Sequence, residues 1–149
     1  MQTTEKALYF DMDGTLVDFY GVNEWLSLIH AHSTLPYEIA APLCSMRILA
    51  RLLNRLQREG WCIGIISWTS NDESESYHKA VERAKLKWLA KHLPSVDFDE
   101  LHIIPYGLEK HLIANFPNGI LFDDNEDIRN MWEGEAFDET NIIEILKSL

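Results

Sequence analysis

Four short runs of this sequence are apolar at nearly every position, and longer segments with helical patterns separate them. The runs lie at about 6–11, 61–66, 101–104 and 119–122. A strand with one face in water alternates apolar and polar residues, so strands that are apolar throughout are typical of a sheet covered on both faces. The alternation of such strands with helices predicts an α/β fold, in which a parallel sheet lies between two layers of helices.

The segments between the strands supply the helices. The clearest helix spans 46–59, because its leucines recur at helical spacing and Gly60 follows as a C-cap. Ser70 and Glu73 have the spacing of a capping box. The remaining predicted elements are helices at about 22–32, after Pro36, from Ser70 to about His92, at 108–115, at 126–133 and from about 140, with an edge strand at 135–137.

The first apolar run ends in two carboxylates, Asp11 and Asp13, which Gly14 and Thr15 follow. Charged side chains are almost never fully buried without a partner, so this pair is expected to lie at the mouth of the strand and to hold a ligand. Two other interpretations stay open on these residues alone. One is a calcium-binding loop, although its glycine would come two positions later. The other is a pair of aspartates that only stabilises a turn.

Two further apolar runs end in polar residues, Ser67 after the second run and Asp123-Asp124 after the fourth. In open parallel sheets, ligands bind beyond the carboxyl ends of the strands, so we expect all these groups to converge on one edge. Carboxylates about 4 Å apart repel by about 4 kcal/mol, and a divalent cation removes that cost. Oxygen ligands without Cys or His suit Mg²⁺. The pattern therefore predicts metal-assisted phosphoryl transfer.

Composition limits the function classes. The 149 residues suit a single domain. The net charge of −11, from 24 acidic and 13 basic side chains, argues against a protein that coats nucleic acid. No apolar run is long enough to span a membrane, and the N-terminus lacks the pattern of a signal peptide. Cys44 and Cys62 have no metal-binding spacing, so we expect reduced thiols and a cytoplasmic protein.

Four motifs in this order resemble those of the haloacid dehalogenase (HAD) superfamily, and most of all its phosphatases. The matching residues are Asp11-Met12-Asp13-Gly14-Thr15, Ser67, Lys110, and Asp123-Asp124 with Asp127 close behind. The first and last motifs are specific when they occur together, whereas the other two are weak alone. The resemblance implies a doubly wound, Rossmann-like three-layer sandwich whose mainly parallel five-stranded sheet has the strand order 5-4-1-2-3.

The resemblance also implies a role for each matching residue. Asp11 would be the nucleophile and a Mg²⁺ ligand, and Asp13 would be the general acid/base, with its backbone carbonyl on the metal. Asp124 would be the direct metal ligand, with Asp123 beside it or acting through water. Ser67 and Lys110 would bind the phosphoryl group. Asp13 favours a phosphatase, since the dehalogenases of the family lack this second acid.

Some assignments have competitors within the sequence. Thr69 or Ser70 could replace Ser67 if the strand ends later, and Lys79 is the alternative to Lys110, although a place facing solvent suits it better. Trp25 and Trp68 could stack on a substrate, but we expect both to pack in the core.

The lengths between motifs leave no room for the cap domain that many HAD phosphatases use to select substrates. Residues 15–45 and 68–109 each hold too few positions. We therefore expect a single domain over 1–149, with at most a small helical insert at about 20–45 and an open site. Such a site suits a bulky or macromolecular phosphorylated substrate, or is closed by another subunit.

The function predicted from the sequence is a Mg²⁺-dependent phosphatase with an aspartyl-phosphate intermediate. The alternatives are a phosphotransferase and a binding or regulatory protein that keeps the fold without turnover.

Overall fold

The computed structural model describes residues 5–71 and 74–149. Its centre is a five-stranded parallel sheet with the order β3-β2-β1-β4-β5. The strands are β1 (Ala7–Phe10), β2 (Cys62–Trp68), β3 (Glu100–Ile104), β4 (Ile120–Phe122) and β5 (Ala136–Phe137). The predicted fold class and strand order are both confirmed.

Helices cover both faces of the sheet. They are α1 (Trp25–His30), α2 (Leu35–Ile39), α3 (Met46–Arg58), α4 (Glu75–His92), α5 (Lys110–Ile113), α6 (Glu126–Met131) and α7 (Ile142–Lys147), and a 3₁₀ turn at Phe19–Gly21 precedes α1. None of the helices in these two described segments is long and apolar enough to cross a membrane.

Successive residues of β1 point into two different apolar layers. Leu8 and Phe10 belong to the larger core, which α3, α4 and α7 cover, while Tyr9 packs in a smaller core with Leu121 and Trp132. Every residue of β1 is fully buried. This arrangement explains why the strand is apolar at every position: neither face meets water.

The segment between β1 and α3 forms a small helical insert, residues 18–45, that lies against α4. The Tyr77 hydroxyl donates to the carbonyl of Ser33 at 2.8 Å, and the Trp88 indole donates to the carbonyl of Ala40 at 2.8 Å. Two side chains of α4 therefore fix this insert beside the carboxyl end of the sheet.

The start of α4 differs from its prediction. The proposed capping box at Ser70 and Glu73 is wrong as a helix start, because α4 begins at Glu75 and the Ser74 hydroxyl accepts from the backbone N–H of Tyr77. Of the predicted box, Asp72 and Glu73 lie outside the described residues. Several serines and acidic residues follow one another here, so spacing alone did not identify which serine caps the helix.

Candidate active site

The carboxyl ends of β1 and β4 bring their acidic residues together. The two strands pair in register, with Phe10 opposite Phe122, and the pairing continues where the Asp11 N–H donates to the carbonyl of Phe122 at 2.9 Å. Asp11 and Asp123 thus lie side by side at the carboxyl end of the sheet. From this point the chain continues from β1 to β2 on one side and from β4 to β5 on the other. The predicted convergence of the first and fourth motifs on one edge is what the geometry shows.

Gly14 allows the chain to turn away from this edge. Its φ of +80° belongs to the left-handed region that favours glycine. A Cβ atom at this position would also collide with the carboxylate of Asp124. Gly14 therefore serves both the turn after β1 and the close approach of the two acidic loops.

Asp11, Asp123 and Asp124 form a compact carboxylate cluster. One oxygen from each lies within 4.8 Å of the others, and Asp124 is the most exposed of the three. Thr15 links two members, since its hydroxyl lies 3.2 Å from Asp11 Oδ2 and accepts from the Asp124 N–H at 3.1 Å. Backbone and hydroxyl groups thus hold the cluster together against the repulsion between its carboxylates.

Lys110, the residue predicted to hold the phosphoryl group, is buried within this cluster. Its ammonium lies 3.0 Å from Asp11 Oδ1 and 2.7 Å from Asp123 Oδ2. Burial opposes the charge on Lys110, but the two carboxylates prevail and raise its pKa above the usual value. The lysine is therefore a fixed positive charge beside the proposed nucleophile.

The carboxylates of the cluster titrate differently from one another. Burial disfavours ionisation of Asp11, yet the adjacent Lys110 keeps its pKa below the ordinary range. Burial, together with the charge of Asp11, raises the pKa of Asp123 to about 6 and that of Asp124 to about 8. One lysine does not balance three acids, and Asp124 is the member of the cluster that most resists ionisation.

This donor set fits a hard divalent cation. It consists of carboxylate oxygens without sulfur or imidazole, which suits Mg²⁺, and the raised pKa of Asp124 marks the place where further positive charge is needed. Asp11, Asp123 and Asp124 could therefore hold the ion. The carboxylate of Asp13 is not part of the cluster, and a contact through its backbone carbonyl stays a prediction.

Ser67, the predicted second motif, is fully buried within β2. Its hydroxyl accepts from the ammonium of Lys85 at 2.8 Å. Because one lone pair of the Ser67 oxygen is engaged in this way, the hydroxyl proton is left to point elsewhere, as a donor to a phosphate oxygen requires.

Lys85 is a site residue that the sequence analysis missed. Only 1% of its side chain is exposed, and its ammonium lies 2.8 Å from Asp13 Oδ2 and 2.6 Å from the carbonyl of Trp68. It also lies 5.3 Å from the centre of the Tyr37 ring, in the helical insert. The signal was present: Lys85 falls on the apolar face of α4, four residues after Val81, where an unpaired lysine would be very costly.

The carboxylate of Asp13 contacts Lys85 and lies outside the carboxylate cluster, although both line the same cavity. Burial raises the pKa of Asp13, and Asp11 adds to the effect, while Lys85 opposes it. Its side chain is 19% exposed. Asp13 thus has different contacts from the acids of the cluster, although it follows Asp11 by only two residues.

The competing residues have other partners. Lys79 lies 3.7 Å from Glu75 on its own helix. Its side chain is exposed, whereas that of Lys110 is buried. The Thr69 hydroxyl lies 2.9 Å from His78 Nδ1. Ser70 is 6% exposed, and its hydroxyl has no hydrogen-bond partner within the described parts of the chain. Lys110 is therefore better placed than Lys79. Because β2 extends to Trp68, the alternatives Thr69 and Ser70 line the cavity beside the acids, whereas Ser67 does not.

Comparisons with known proteins provide little further information. No family model matches the chain, and no curated protein matches it. Among solved structures, a similar one is the crystal structure of D,D-heptose 1,7-bisphosphate phosphatase from Burkholderia thailandensis, at 12% identity and a TM-score of 0.49. The match covers 81% of this chain and 67% of that one. A similarity this weak assigns no activity, so function must be argued from the side chains described above.

Proposed function

We propose that this protein is a Mg²⁺-dependent phosphatase of the HAD type that hydrolyses a phosphate monoester through an aspartyl-phosphate intermediate. The observation that carries the proposal is the separation of two neighbouring aspartates into different environments. Asp11 has a lowered pKa beside Lys110, whereas Asp13 has a raised pKa beside Lys85. Unequal environments for two nearby acids support different roles in proton transfer.

Asp11 suits the role of nucleophile because Lys110 keeps its carboxylate ionised. An oxygen of Asp11 attacks phosphorus, the ester P–O bond breaks, and the phosphoryl group stays on Asp11 as an acyl phosphate. When bound by Asp11, Asp123 and Asp124, Mg²⁺ supplies the positive charge that makes a dianionic phosphate tolerable in this acidic site.

Asp13 suits the role of acid and then base. In its protonated form it donates its proton to the departing alkoxide, which leaves as an alcohol. Asp13 then accepts a proton from water, whose oxygen attacks phosphorus and releases inorganic phosphate and the free carboxylate of Asp11. Lys110 and a hydroxyl at the end of β2, from Ser67 or from one of its alternatives Thr69 and Ser70, bind phosphate oxygens in both steps.

Turnover of an aryl phosphate with and without EDTA tests the proposal. We expect Asp11→Asn and Asp13→Asn to lose activity while they keep their circular dichroism spectrum and cooperative melting. The control is Asp127→Asn, which removes an exposed carboxylate close in sequence to the cluster. In acid-quenched protein, mass spectrometry should find a phosphoryl group on the peptide that contains Asp11. Unchanged activity of Asp11→Asn would contradict the mechanism, and no EDTA-sensitive turnover on any phosphate would favour a binding protein.

A further inference from the structure

The carboxylate cluster opens into a cavity of about 440 Å³, a size within the range of small-molecule sites. Its walls are unusually rich in aromatic rings. The aromatic residues that line it are Phe19, Tyr20, Trp25, Tyr37, Trp68 and Tyr106. The acids occupy one part of the lining only, so a phosphate ester bound to them would place its leaving group among these rings.

One group of rings belongs to the helical insert. Tyr20 and Trp25 meet edge to face with centroids 5.0 Å apart, and both contact Phe19. The Tyr20 ring is 53% exposed, and its pKa is raised by burial and by the nearby charges of Asp13 and Asp124. Tyr20 is therefore close to the acids, yet it retains an open face.

A second group lies at the ends of β2 and β3. Trp68 and Tyr106 have ring centroids 4.8 Å apart, and Tyr106 is 53% exposed. The Trp68 indole donates to the carbonyl of Leu108 at 2.8 Å, which fixes the ring, and the Lys110 ammonium lies 5.4 Å from its centre. This pair forms a rigid wall directly beside the phosphoryl-binding lysine.

The charges of the lining exclude an anionic leaving group. Among the described residues that line the cavity, Lys110 is the only lysine or arginine, and it is already paired with Asp11 and Asp123. A second phosphate or a carboxylate on the substrate would meet acids without a free cation. The leaving group that fits is therefore uncharged.

The lining also offers one polar group that needs a partner. The Ser70 hydroxyl is buried and, within residues 5–71 and 74–149, makes no hydrogen bond. Such a group is costly unless something binds it. A leaving group with polar atoms at its edge, such as a heterocycle, would satisfy it.

We propose that the substrate is a small phosphate monoester whose uncharged leaving group carries a planar ring, with the chemistry of a nucleoside monophosphate. This inference rests on the phosphatase function proposed above. The ring stacks against Tyr20 or against the Trp68–Tyr106 wall, while the phosphate lies at the carboxylate cluster. The insert, although smaller than a cap domain, thus supplies one wall of the substrate site.

The test compares substrates that differ only in the ring. We expect adenosine or uridine 5′-monophosphate to exceed ribose 5-phosphate in kcat/KM by about tenfold, on the order of 1.4 kcal/mol, since stacking on aromatic side chains stabilises a base by this order. Phenyl phosphate, compared with glycerol 3-phosphate, separates a need for any ring from a need for a nucleoside. Tryptophan fluorescence titration of the Mg²⁺-loaded protein with the same compounds measures binding whether or not turnover follows.

Variants assign the effect to the cavity. The double variant Tyr20→Leu/Tyr106→Leu keeps apolar bulk but removes two ring faces. We expect it to lose most of the tenfold preference, measured as the ratio of kcat/KM for the nucleotides to kcat/KM for ribose 5-phosphate. Ser70→Ala should weaken the binding of the nucleotides more than the binding of ribose 5-phosphate. The matched control is Phe116→Leu, an aromatic replacement at a side chain that is 40% exposed and outside this cavity.

The possible outcomes separate the two proposals. Equal kcat/KM and equal affinity for ribose 5-phosphate and the nucleotides would overturn the inference and leave the phosphatase intact. No turnover of any compound would overturn the phosphatase, and the fluorescence titration would then decide the ring preference alone. Faster turnover of a phosphotyrosyl peptide than of phenyl phosphate would overturn the assignment to a small molecule. A preference for a bisphosphate would overturn the assignment of an uncharged leaving group.

Discussion

Replacement of Lys85 by methionine tests how the site holds its proposed acid. Methionine keeps the length and the apolar stem of the side chain and removes the ammonium. That group makes hydrogen bonds of 2.8 Å to Asp13 Oδ2, 2.8 Å to Ser67 Oγ and 2.6 Å to the carbonyl of Trp68. A single substitution therefore removes one hydrogen bond from each of two proposed site residues, Asp13 in the loop after β1 and Ser67 in β2.

The expected loss of stability follows from burial. Removal of one partner from a fully buried ion pair costs about 3–5 kcal/mol, since the other charge is left uncompensated. Asp13 is 19% exposed, so water and protonation relieve part of this cost, and the ammonium no longer has to be buried. We expect the free energy of unfolding to fall by about 2 kcal/mol, which corresponds to a decrease in Tm of about 4–8 °C.

The expected loss of activity follows from positioning. Displacement of a reacting group by about 1 Å can lower the rate about 100-fold. We therefore expect kcat for an aryl phosphate to fall by up to about 100-fold, with a smaller change in KM. The control is Lys87→Met, which removes an exposed lysine from the same helix. In an Asp13→Asn background, Lys85→Met should cost much less activity than in the wild type, because the two residues act together.

Two results would refute this reasoning. One is a Lys85→Met protein with the same Tm and kcat as Lys87→Met. The other is a double-mutant cycle in which the effects of Lys85→Met and Asp13→Asn simply add, since Lys85 would then act independently of the proposed acid.

Three further predictions concern pH and packing. The pKa of Asp124 in the folded protein, about 8, lies above its ordinary value of 3.8, so the folded state binds the proton more tightly than the unfolded state. Without a divalent cation, Tm should therefore fall as pH rises from about 5 to 8, and Mg²⁺ should stabilise most at high pH. An unaltered profile in Asp124→Asn would contradict this. Gly14→Ala should abolish Mg²⁺-dependent stabilisation. The control is Gly60→Ala, because Gly60 has a φ of +95° but open space around it, and this variant should lose only about 1–2 kcal/mol of stability. Equal behaviour of the two variants would mean that the collision with Asp124 is unimportant. Glu100 is buried, yet hydrogen bonds, above all the one from Tyr9, keep its pKa below the usual value. Its stabilising effect is therefore present at neutral pH and lost on acidification through the carboxylate range. Glu100→Gln should flatten the decrease of Tm at acidic pH, and an unchanged slope there would count against this role.

The sheet was predictable because its signal is local. A strand buried on both faces is apolar at each position, as Ala7–Phe10 shows, and that pattern needs no knowledge of its neighbours. The acids at strand ends were predictable for the same reason: Asp11 and Asp123 interrupt apolar runs where no buried charge is expected.

The cavity and the lysine on α4 depend on contacts between distant segments. Trp25 packs against the core, as expected, and also lines the cavity. Trp68 was expected in the core too, but it lines the cavity and belongs to neither core cluster of the described residues. Lys85 resembles its exposed neighbours on α4 in residue type alone. Its position on the apolar face of α4 could be read from the sequence, but its partner could not, because Asp13 comes from another segment.

The pairing of β1 with β4 has a consequence for synthesis of the chain. Phe10 and Phe122 are partners in the sheet although most of the sequence separates them, and contacts between such distant segments form late in folding. A ribosome delivers the N-terminal end first, so Asp11 emerges long before Asp123 and Asp124. Until those residues follow, β1 has an unpaired edge and no carboxylate cluster exists, so an incomplete chain has no site with which to bind Mg²⁺.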